Sequence, residues 1–247
     1  MIDMREYCSH KDYNDLVVNF QGHFNKDKLN CDDYWFVFKD LQNKISNNKC
    51  PICEVELSDY PNKDNTATLD HFRPKANNMY PHLKCEPQNY ILMCSLCNST
   101  YKKDNFPLVD DLKRATDDEE PLLLNPIEED PLDFFELAFR QTQSGGILEL
   151  KREANIPKNS YEYKKCETMI KIFGLGYCDK YIHPNNEVKK CRVEILTKHY
   201  TTFIEFAKER KNKKTLALFL RDKNRITELK EYGFYRFIIK NQFKIQS

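Results

Sequence analysis

Two Cys-x-x-Cys pairs constrain the fold of this chain more than any other feature of its sequence. Cys50 and Cys53 form the first pair, and Cys94 and Cys97 form the second. A two-residue spacer lets both sulfur atoms of a pair reach one ion, and two such pairs complete the tetrahedral coordination that zinc prefers. We therefore predict a structural Zn²⁺ site, with four buried free thiols as the alternative.

Side chains suited to metal-dependent hydrolysis lie between and beside these pairs. Asp70 and Asn98 offer oxygen ligands to a hard cation such as Mg²⁺ or Mn²⁺. His71 has an imidazole that titrates near neutrality, so it is the predicted general base that activates water against a phosphodiester. Asn89 could orient the His71 ring by a hydrogen bond. The four residues together predict a catalytic site. Taken singly, an Asp-His pair is more commonly a surface pair and an Asn more commonly a turn residue.

Four basic residues near these positions are candidates for contact with nucleic-acid phosphates, and a solvent-facing charge is the alternative for each. They are Arg73, Lys75, Lys102 and Lys103. The remaining histidines have no other potential metal ligands at a suitable spacing, so we assign them structural or loop positions. These are His10, His23, His82, His183 and His199.

The composition predicts a globular protein in a reducing compartment. Of the 247 residues, 40% are hydrophobic and 13% aromatic, which is enough to build a packed core. The cysteines outside the two pairs have no framework spacing, which favours a cytoplasmic location over a disulfide-bonded protein. They are Cys8, Cys31, Cys85, Cys166, Cys178 and Cys191. No apolar run approaches the ~20 residues that span a bilayer, and the first residues are polar, so we expect neither membrane association nor a targeting segment.

Four regions follow one another along the chain and together predict an α+β fold. Residues 1–49 form an N-terminal helical segment, and residues 50–107 form the core that carries the motif residues and the four-cysteine zinc site. Residues 108–158 form an acidic, proline-rich linker with a hairpin. Residues 159–247 form a mostly α-helical region with a basic C-terminal part.

Within the core, the sequence predicts the order strand, strand, helix. Residues 66–69 alternate in polarity and predict a strand that ends at Asp70-His71, and residues 89–93 predict a second strand. A helix that begins near Ser95 would carry Asn98. Because neighbouring strand residues point to opposite faces, Asp70 and His71 can serve one site only if the strand ends or twists there, which Arg73-Pro74 would favour.

Further elements are predicted on either side of the core. Helical spacing predicts a helix that ends before Asn47, and alternation around Ser144-Gly145-Gly146 predicts a β-hairpin. Apolar residues 166–173 predict a helix that stops at Gly174. Two more helices are predicted from the spacing of apolar residues, one over 188–206 and one over 216–232.

Charge is sorted along the chain although the net charge is only +1. Residues 104–136 contain 12 acidic and 2 basic residues, a balance of −10. Residues 198–247 contain 13 basic and 5 acidic residues, a balance of +8. A basic segment can bind phosphates through counterion release, and an acidic segment is repelled by the same polyanion. The alternative is that both segments are solvated surfaces.

The motif residues resemble those of the HNH endonuclease family. The resemblance rests on Cys-x-x-Cys, Asp-His, a downstream Asn, and Cys-x-x-Cys-Asn followed by Lys. It implies a zinc-stapled ββα-metal core that cleaves DNA with Mg²⁺ or Mn²⁺. In that core Asp70 and Asn98 would bind the metal and His71 would be the base that Asn89 orients. Asn98 stands where the name-giving pattern has its final histidine, and it keeps an oxygen ligand.

Other motifs are similar to those of the HNH nuclease subunits of Septu anti-phage systems and of their retron-associated relatives. The matching motifs are 70–75, Tyr80-Pro81, Cys97-Asn98, Asn105-Phe106-Pro107 and 120–126, within about residues 50–131, and 170–176 fits more weakly. This resemblance implies the nuclease effector of a defence complex with an ATPase partner. Two alternatives stay open: a catalytically silent zinc module that binds DNA or protein, and a stand-alone restriction-type nuclease.

Overall fold

The computed structural model describes residues 1–27, 31, 35–61, 63–142, 145–176, 181–182 and 188–189. Its helices and small antiparallel sheets confirm the predicted α+β class. The helices are α1 (Lys11–Asp27), α2 (Val37–Ile45), a π-helix (Leu96–Lys102), α3 (Pro131–Phe134) and α4 (Tyr161–Phe173), with 3₁₀ turns at Pro81–Leu83, Pro87–Asn89 and Asp111–Lys113. The strands are β1 (Ala67–His71), β2 (Tyr90–Cys94), β3 (Phe135–Thr142), β4 (Gly145–Arg152), β5 (Tyr181–Ile182) and β6 (Val188–Lys189).

The chain divides into two compact units. The first comprises Ile2–Ile52 and Glu56–Pro131, and it contains α1, α2, β1, β2 and the π-helix. The second comprises Met1, Cys53–Val55 and the chain from Leu132 onward, as far as the structure describes it, and it contains β3, β4 and α4. All four predicted catalytic residues lie in the first unit. The division into four regions at 49, 107 and 158 stays a prediction.

Strands β1 and β2 form the antiparallel pair that the motif pattern predicts. Asp70 is paired with Ile91 and His71 with Tyr90. Burial alternates along β1, whereas every residue of β2 is buried. One face of β1 therefore carries Thr68 and Asp70, and the opposite face carries His71. The π-helix follows β2 directly, so the predicted order of strand, strand and helix is present.

Helix α2 docks on β2 through both apolar and polar contacts. The rings of Phe38 and Tyr90 lie 5.6 Å apart, centre to centre. Gln42 is fully buried, donates a 2.8 Å hydrogen bond to the Tyr90 carbonyl and accepts a 2.7 Å bond from the Leu92 N–H. The side-chain amide thus makes the two hydrogen bonds that a neighbouring strand would make at this point, and it satisfies one donor and one acceptor of the β2 backbone.

We expect Gln42→Leu to destabilise the protein by about 2–4 kcal/mol. The two backbone groups that Gln42 satisfies would stay buried without partners, and each such group costs roughly 1–3 kcal/mol. Urea unfolding followed by circular dichroism measures the change in the free energy of unfolding. The matched control is Lys44→Leu, an exposed position on the same helix, which should change stability by less than about 0.5 kcal/mol. Equal stability of the two variants would contradict this role for Gln42.

The second unit contains the predicted hairpin and the predicted helix with its stop. β3 and β4 pair along their whole length, from Phe135 opposite Arg152 to Thr142 opposite Gly145. Helix α4 is capped by Ser160, whose hydroxyl accepts a hydrogen bond from the Tyr163 N–H. It ends at Gly174, whose φ of 63° is the left-handed conformation that glycine adopts without steric cost.

The helix predicted over residues 188–206 is wrong at its start. Val188 and Lys189 form β6, which pairs with Tyr181 and Ile182. β-branched residues such as Ile182 and Val188 favour extended pairing over a helix. The rest of that helix, the helix over 216–232 and the basic segment 198–247 lie outside the described residues. Within the part of the chain that the structure covers, none of the helices has the length and apolarity needed to cross a bilayer.

Candidate functional site

The four motif cysteines form one buried cluster. The sulfur atoms of Cys50, Cys53, Cys94 and Cys97 all lie within 4.8 Å of one another. Cys94 ends β2, and its N–H donates a 3.3 Å hydrogen bond to the Cys50 sulfur. The Cys97 N–H, in the first turn of the π-helix, donates a 3.4 Å bond to the Cys94 sulfur. Such N–H bonds stabilise thiolate charge, so this cluster could hold a zinc ion, as predicted.

Asp70 and Asn98 lie on the interface between β1 and the π-helix. Asn98 donates a 3.1 Å hydrogen bond from its amide nitrogen to the Thr68 hydroxyl, on the same face of β1 as Asp70. Lys102, four residues after Asn98, places its ammonium nitrogen 2.7 Å from Asp70 Oδ2. The π-helix therefore lies along this face of β1. It brings the two predicted metal ligands to the same side of the strand.

Asp70 Oδ2 is a buried oxygen whose hydrogen-bonding capacity is unfilled. Its close neighbour is the Lys102 ammonium, but that contact lacks the direction of a hydrogen bond, and no other described residue supplies one. A buried carboxylate oxygen without a hydrogen bond is costly unless a cation faces it. The amide oxygen of Asn98 is on the same side of the strand. A carboxylate and an amide oxygen suit Mg²⁺ or Mn²⁺, so these residues fit the predicted ion.

His71 ends β1 on the opposite face and is 4% exposed. Its Nε2 lies 2.9 Å from the carbonyl oxygen of Lys84. Because a carbonyl accepts but cannot donate, Nε2 carries the proton and the lone pair of the neutral ring lies on Nδ1. Trp35 stacks on the ring at 5.3 Å, and Tyr90 packs edge-on at 5.2 Å. The imidazole is thus held in one orientation.

Asn89 supports the chain that follows His71. Its amide oxygen accepts a 2.8 Å bond from the Arg73 N–H, and its amide nitrogen donates to the carbonyls of Arg73 and Leu83. The Phe72 N–H in turn donates a 2.7 Å bond to the Asn89 carbonyl. The sequence predicts contact of Asn89 with the ring itself. The structure instead shows Asn89 bracing the turn after His71 and the loop that presents the Lys84 carbonyl.

The four predicted phosphate-binding residues have different environments. Lys75 and Lys103 are exposed, as that role requires. Lys102 is 0% exposed and is engaged with Asp70, so its burial argues against a phosphate contact. Arg73 donates a 3.0 Å hydrogen bond from Nε to Glu119, which neutralises its charge. A sequence alone cannot reveal these pairings, because the partners are distant along the chain.

Glu119 is a residue that the sequence gives no reason to single out from its acidic segment. Besides Arg73, it accepts a hydrogen bond from the Tyr80 hydroxyl and a 2.8 Å bond from the Ala115 N–H. Burial alone would raise the pKa of Glu119, but these hydrogen bonds and the Arg73 charge together lower it. Glu119 is therefore an ionised structural anchor, whereas its neighbours Asp118 and Glu120 are exposed.

Cys31 and Cys85 form a disulfide bond, with their Cα atoms 5.5 Å apart. The interpretation of these two cysteines as scattered and unpaired is therefore wrong. The pairing could not be predicted from spacing, because the two partners are 54 positions apart. Cys85 directly follows Lys84, whose carbonyl holds His71. A reducing compartment favours free thiols, so this disulfide bond is unusual for the predicted cytoplasmic location. That location stays a prediction.

We expect reduction of this bond to lower the free energy of unfolding by about 4 kcal/mol, since it removes a cross-link over a separation of 54 residues. Thermal melting with and without a phosphine reductant, in buffer containing zinc, measures the effect. A Cys31→Ser/Cys85→Ser double variant is the control, and its melting temperature should not respond to the reductant. A wild-type protein that is equally insensitive would show that the bond contributes nothing to stability.

The described structure defines an α+β protein with a four-cysteine cluster that is suited to zinc. The cluster includes Cys94 at the end of β2, the strand that pairs with β1, and Cys97 on the π-helix that also carries Asn98. No protein-family model matches the chain, and no solved structure matches it. The chain is similar to Septu protein PtuB of Bacillus mycoides (strain KBAB4), with 33% identity over 153 residues. The similar region covers 56% of this chain and 46% of PtuB, so the chain spans about half the length of this curated relative. The resemblance to a Septu protein that the sequence motifs predict is therefore confirmed.

Proposed function

We propose that this protein is a metal-dependent HNH endonuclease that hydrolyses phosphodiester bonds of nucleic acid, most simply DNA. The observation that carries the proposal is the arrangement around the end of β1. Asp70 and Asn98 share one side of the strand, and His71 ends it with a fixed ring orientation. The similarity to PtuB supports the same conclusion from an independent direction. In this proposal β1, β2 and the π-helix are the ββα-metal core.

His71 acts as the general base in the proposed reaction. The Lys84 carbonyl keeps the proton on Nε2, so that Nδ1 can accept a proton from the attacking water. The proposal requires that a phosphate at the end of β1 meets His71 from one face of the strand and Asp70 with Asn98 from the other. Asp70 and Asn98 would hold Mg²⁺ or Mn²⁺ there, and the ion would stabilise the negative charge that develops on the phosphate oxygens.

The similarity to PtuB supports a proposed role in anti-phage defence. PtuB is named as a Septu protein, and we propose that this chain is the nuclease effector of a Septu-type defence complex. A PtuA-like ATPase is the proposed partner. The acidic segment 104–136, at −10, and the basic segment 198–247, at +8, are the proposed surfaces for partner and nucleic acid.

Plasmid nicking tests the proposal directly. The purified chain, alone and with its co-purified ATPase, is incubated with supercoiled plasmid and either Mg²⁺ or Mn²⁺. We expect conversion to the nicked or linear form when either ion is added. In buffer that lacks both Mg²⁺ and Mn²⁺, we expect no conversion. Zinc-loaded protein that binds DNA but never cleaves it, with or without the ATPase, would instead indicate a silent zinc module.

The basic segment gives a prediction about salt. We expect neutralisation of three lysines to weaken DNA binding and to flatten its dependence on salt, because each lost phosphate contact removes about 0.9 from the slope of log K against log[salt]. The three are Lys211, Lys213 and Lys214. Fluorescence anisotropy at several salt concentrations measures the slope. An unchanged slope would assign these lysines to an ordinary solvated surface.

The acidic segment gives the matching comparison. Neutralising Asp117, Asp118 and Glu120, which are all exposed, should leave DNA binding equal or stronger and reduce capture of the ATPase. The variant keeps Glu119, because its loss would disturb Arg73 and Tyr80. If the ATPase is captured normally, this segment is not its docking surface.

A further inference from the structure

Lys102 is a buried cation whose ammonium group is surrounded by oxygen atoms. Its side chain is 1% exposed, and its ammonium nitrogen lies 2.7 Å from Asp70 Oδ2 and 2.9 Å from the His71 carbonyl oxygen. A third oxygen, the carbonyl of Lys103, lies 3.5 Å away. Removing an ammonium from water is expensive unless charge and hydrogen bonds replace its hydration. Lys102 is therefore held at this place by the oxygens of the strand end.

The contact with Asp70 differs in kind from the contact with His71. The ammonium donates a hydrogen bond to the His71 carbonyl, but its approach to Asp70 Oδ2 lacks hydrogen-bond direction. Lys102 thus anchors the end of β1 through the backbone and meets the carboxylate mainly through charge. The carboxylate keeps its lone pairs for another donor or for a metal ion.

We propose that Lys102 is the internal counter-ion of Asp70, occupying the carboxylate when no divalent ion is bound and weakening the affinity of the site for that ion. The inference rests on the proposed function, in which Asp70 is a metal ligand. The Lys102 ammonium lies 2.7 Å from Asp70 Oδ2, so it would repel a divalent ion bound to that oxygen. The ammonium must therefore withdraw from the oxygen as the ion binds. The bond to the His71 carbonyl gives it a second anchor during this movement. Lys102 is a positioning residue, because it acts on a ligand and on the strand end.

Two measurable consequences distinguish this role from simple packing. Without divalent ions, Lys102→Met should melt at a lower temperature than wild type, because the buried Oδ2 atom of Asp70 loses the cation that faces it. With Mn²⁺, the same variant should bind the ion about tenfold more tightly or better, because a like charge has been removed from the site. Loss of stability together with a gain in ion affinity is the signature. A residue that merely fills space would lose stability and gain nothing.

Mn²⁺ binding is measured by titration calorimetry on the full, zinc-loaded chain, which is freed of other ions by dialysis without chelator so that the cysteine cluster keeps its zinc. Lys103→Met is the matched control, since it removes the same charge from the adjacent exposed position. We expect tighter binding in Lys102→Met than in wild type, and wild-type affinity in Lys103→Met. Equal affinity in all three proteins would overturn the proposal.

A double-mutant cycle covers the case in which Lys102→Met does not fold. In the absence of divalent ions, Asp70→Asn should restore stability lost in Lys102→Met, because the double variant buries neither charge. Additive losses of stability would overturn the counter-ion role. Failure of the proposed function gives a different result: Asp70→Asn would bind Mn²⁺ as wild type does, while the coupling between the two residues persists.

Discussion

His71→Ala is expected to lower the rate of nucleic-acid cleavage by about 100-fold to 10,000-fold, the usual effect of losing a general base. DNA affinity and zinc content should stay close to wild type, because the proposed mechanism assigns the imidazole to proton transfer and to neither phosphate contact nor zinc binding. The ring is buried beneath Trp35 and bonded to a backbone carbonyl, so circular dichroism should accompany the single-turnover rates. A rate loss without loss of fold assigns the effect to catalysis.

The chain offers a matched control for this substitution. His82 is exposed and lies in the same loop that presents the Lys84 carbonyl, so His82→Ala removes an imidazole without removing the proposed base. It should cleave at the wild-type rate. Asp70→Ala and Asn98→Ala should instead raise the Mg²⁺ or Mn²⁺ concentration needed for half-maximal activity. Cleavage by His71→Ala at the wild-type rate would refute the assignment of the base.

Loss of zinc is expected to have the largest effect on folding. Structural zinc sites contribute roughly 10–16 kcal/mol of apparent binding free energy at pH 7, and this energy is also folding energy. Cys94→Ser removes a thiolate that ends β2 and accepts a hydrogen bond from the Cys97 N–H. We expect it to lose bound zinc and to unfold the region around β1, β2 and the π-helix. Melting curves and elemental analysis, with about one zinc per wild-type chain, measure both.

Cys8→Ser is the control for this prediction. Cys8 is half-buried and lies outside the cluster, so the same chemical change should leave zinc content unaltered. A Cys94→Ser protein that melts like wild type, or wild-type protein without zinc, would contradict the structural role of the cluster.

The local pattern of the sequence predicted much of the fold around the site. Alternation before Asp70-His71 and the apolar run after Asn89 indicated β1 and β2, because strands have a period of two residues. Gly174 marked the end of α4 for an equally local reason, the left-handed φ of 63°. The cysteine spacing indicated the cluster, since ligand pairs must be close in sequence to share one ion. Each of these signals acts over a few residues.

What the sequence could not predict depends on contacts between distant segments. The disulfide between Cys31 and Cys85 and the bond from Arg73 to Glu119 join partners with no shared local pattern. Lys102 was a candidate for phosphate contact because it lies near the motif residues in sequence, and both that role and a solvent-facing charge require exposure, whereas the structure buries it. The partner of His71 was missed for a different reason. It is a backbone carbonyl, which every residue type carries.

The dependence of His71 on that carbonyl has a consequence for how mutations should be tolerated. Because the acceptor is a backbone carbonyl, exchange of the Lys84 side chain does not remove it. The orientation of the imidazole should instead be sensitive to substitution of Asn89, which braces the same loop through a hydrogen bond to the Leu83 carbonyl. A saturation scan should therefore score Asn89 as less tolerant of substitution than Lys84, although the Lys84 carbonyl is the group bonded to the ring. In relatives of this chain, the acceptor would persist through changes of residue type that hide it from any comparison of sequences.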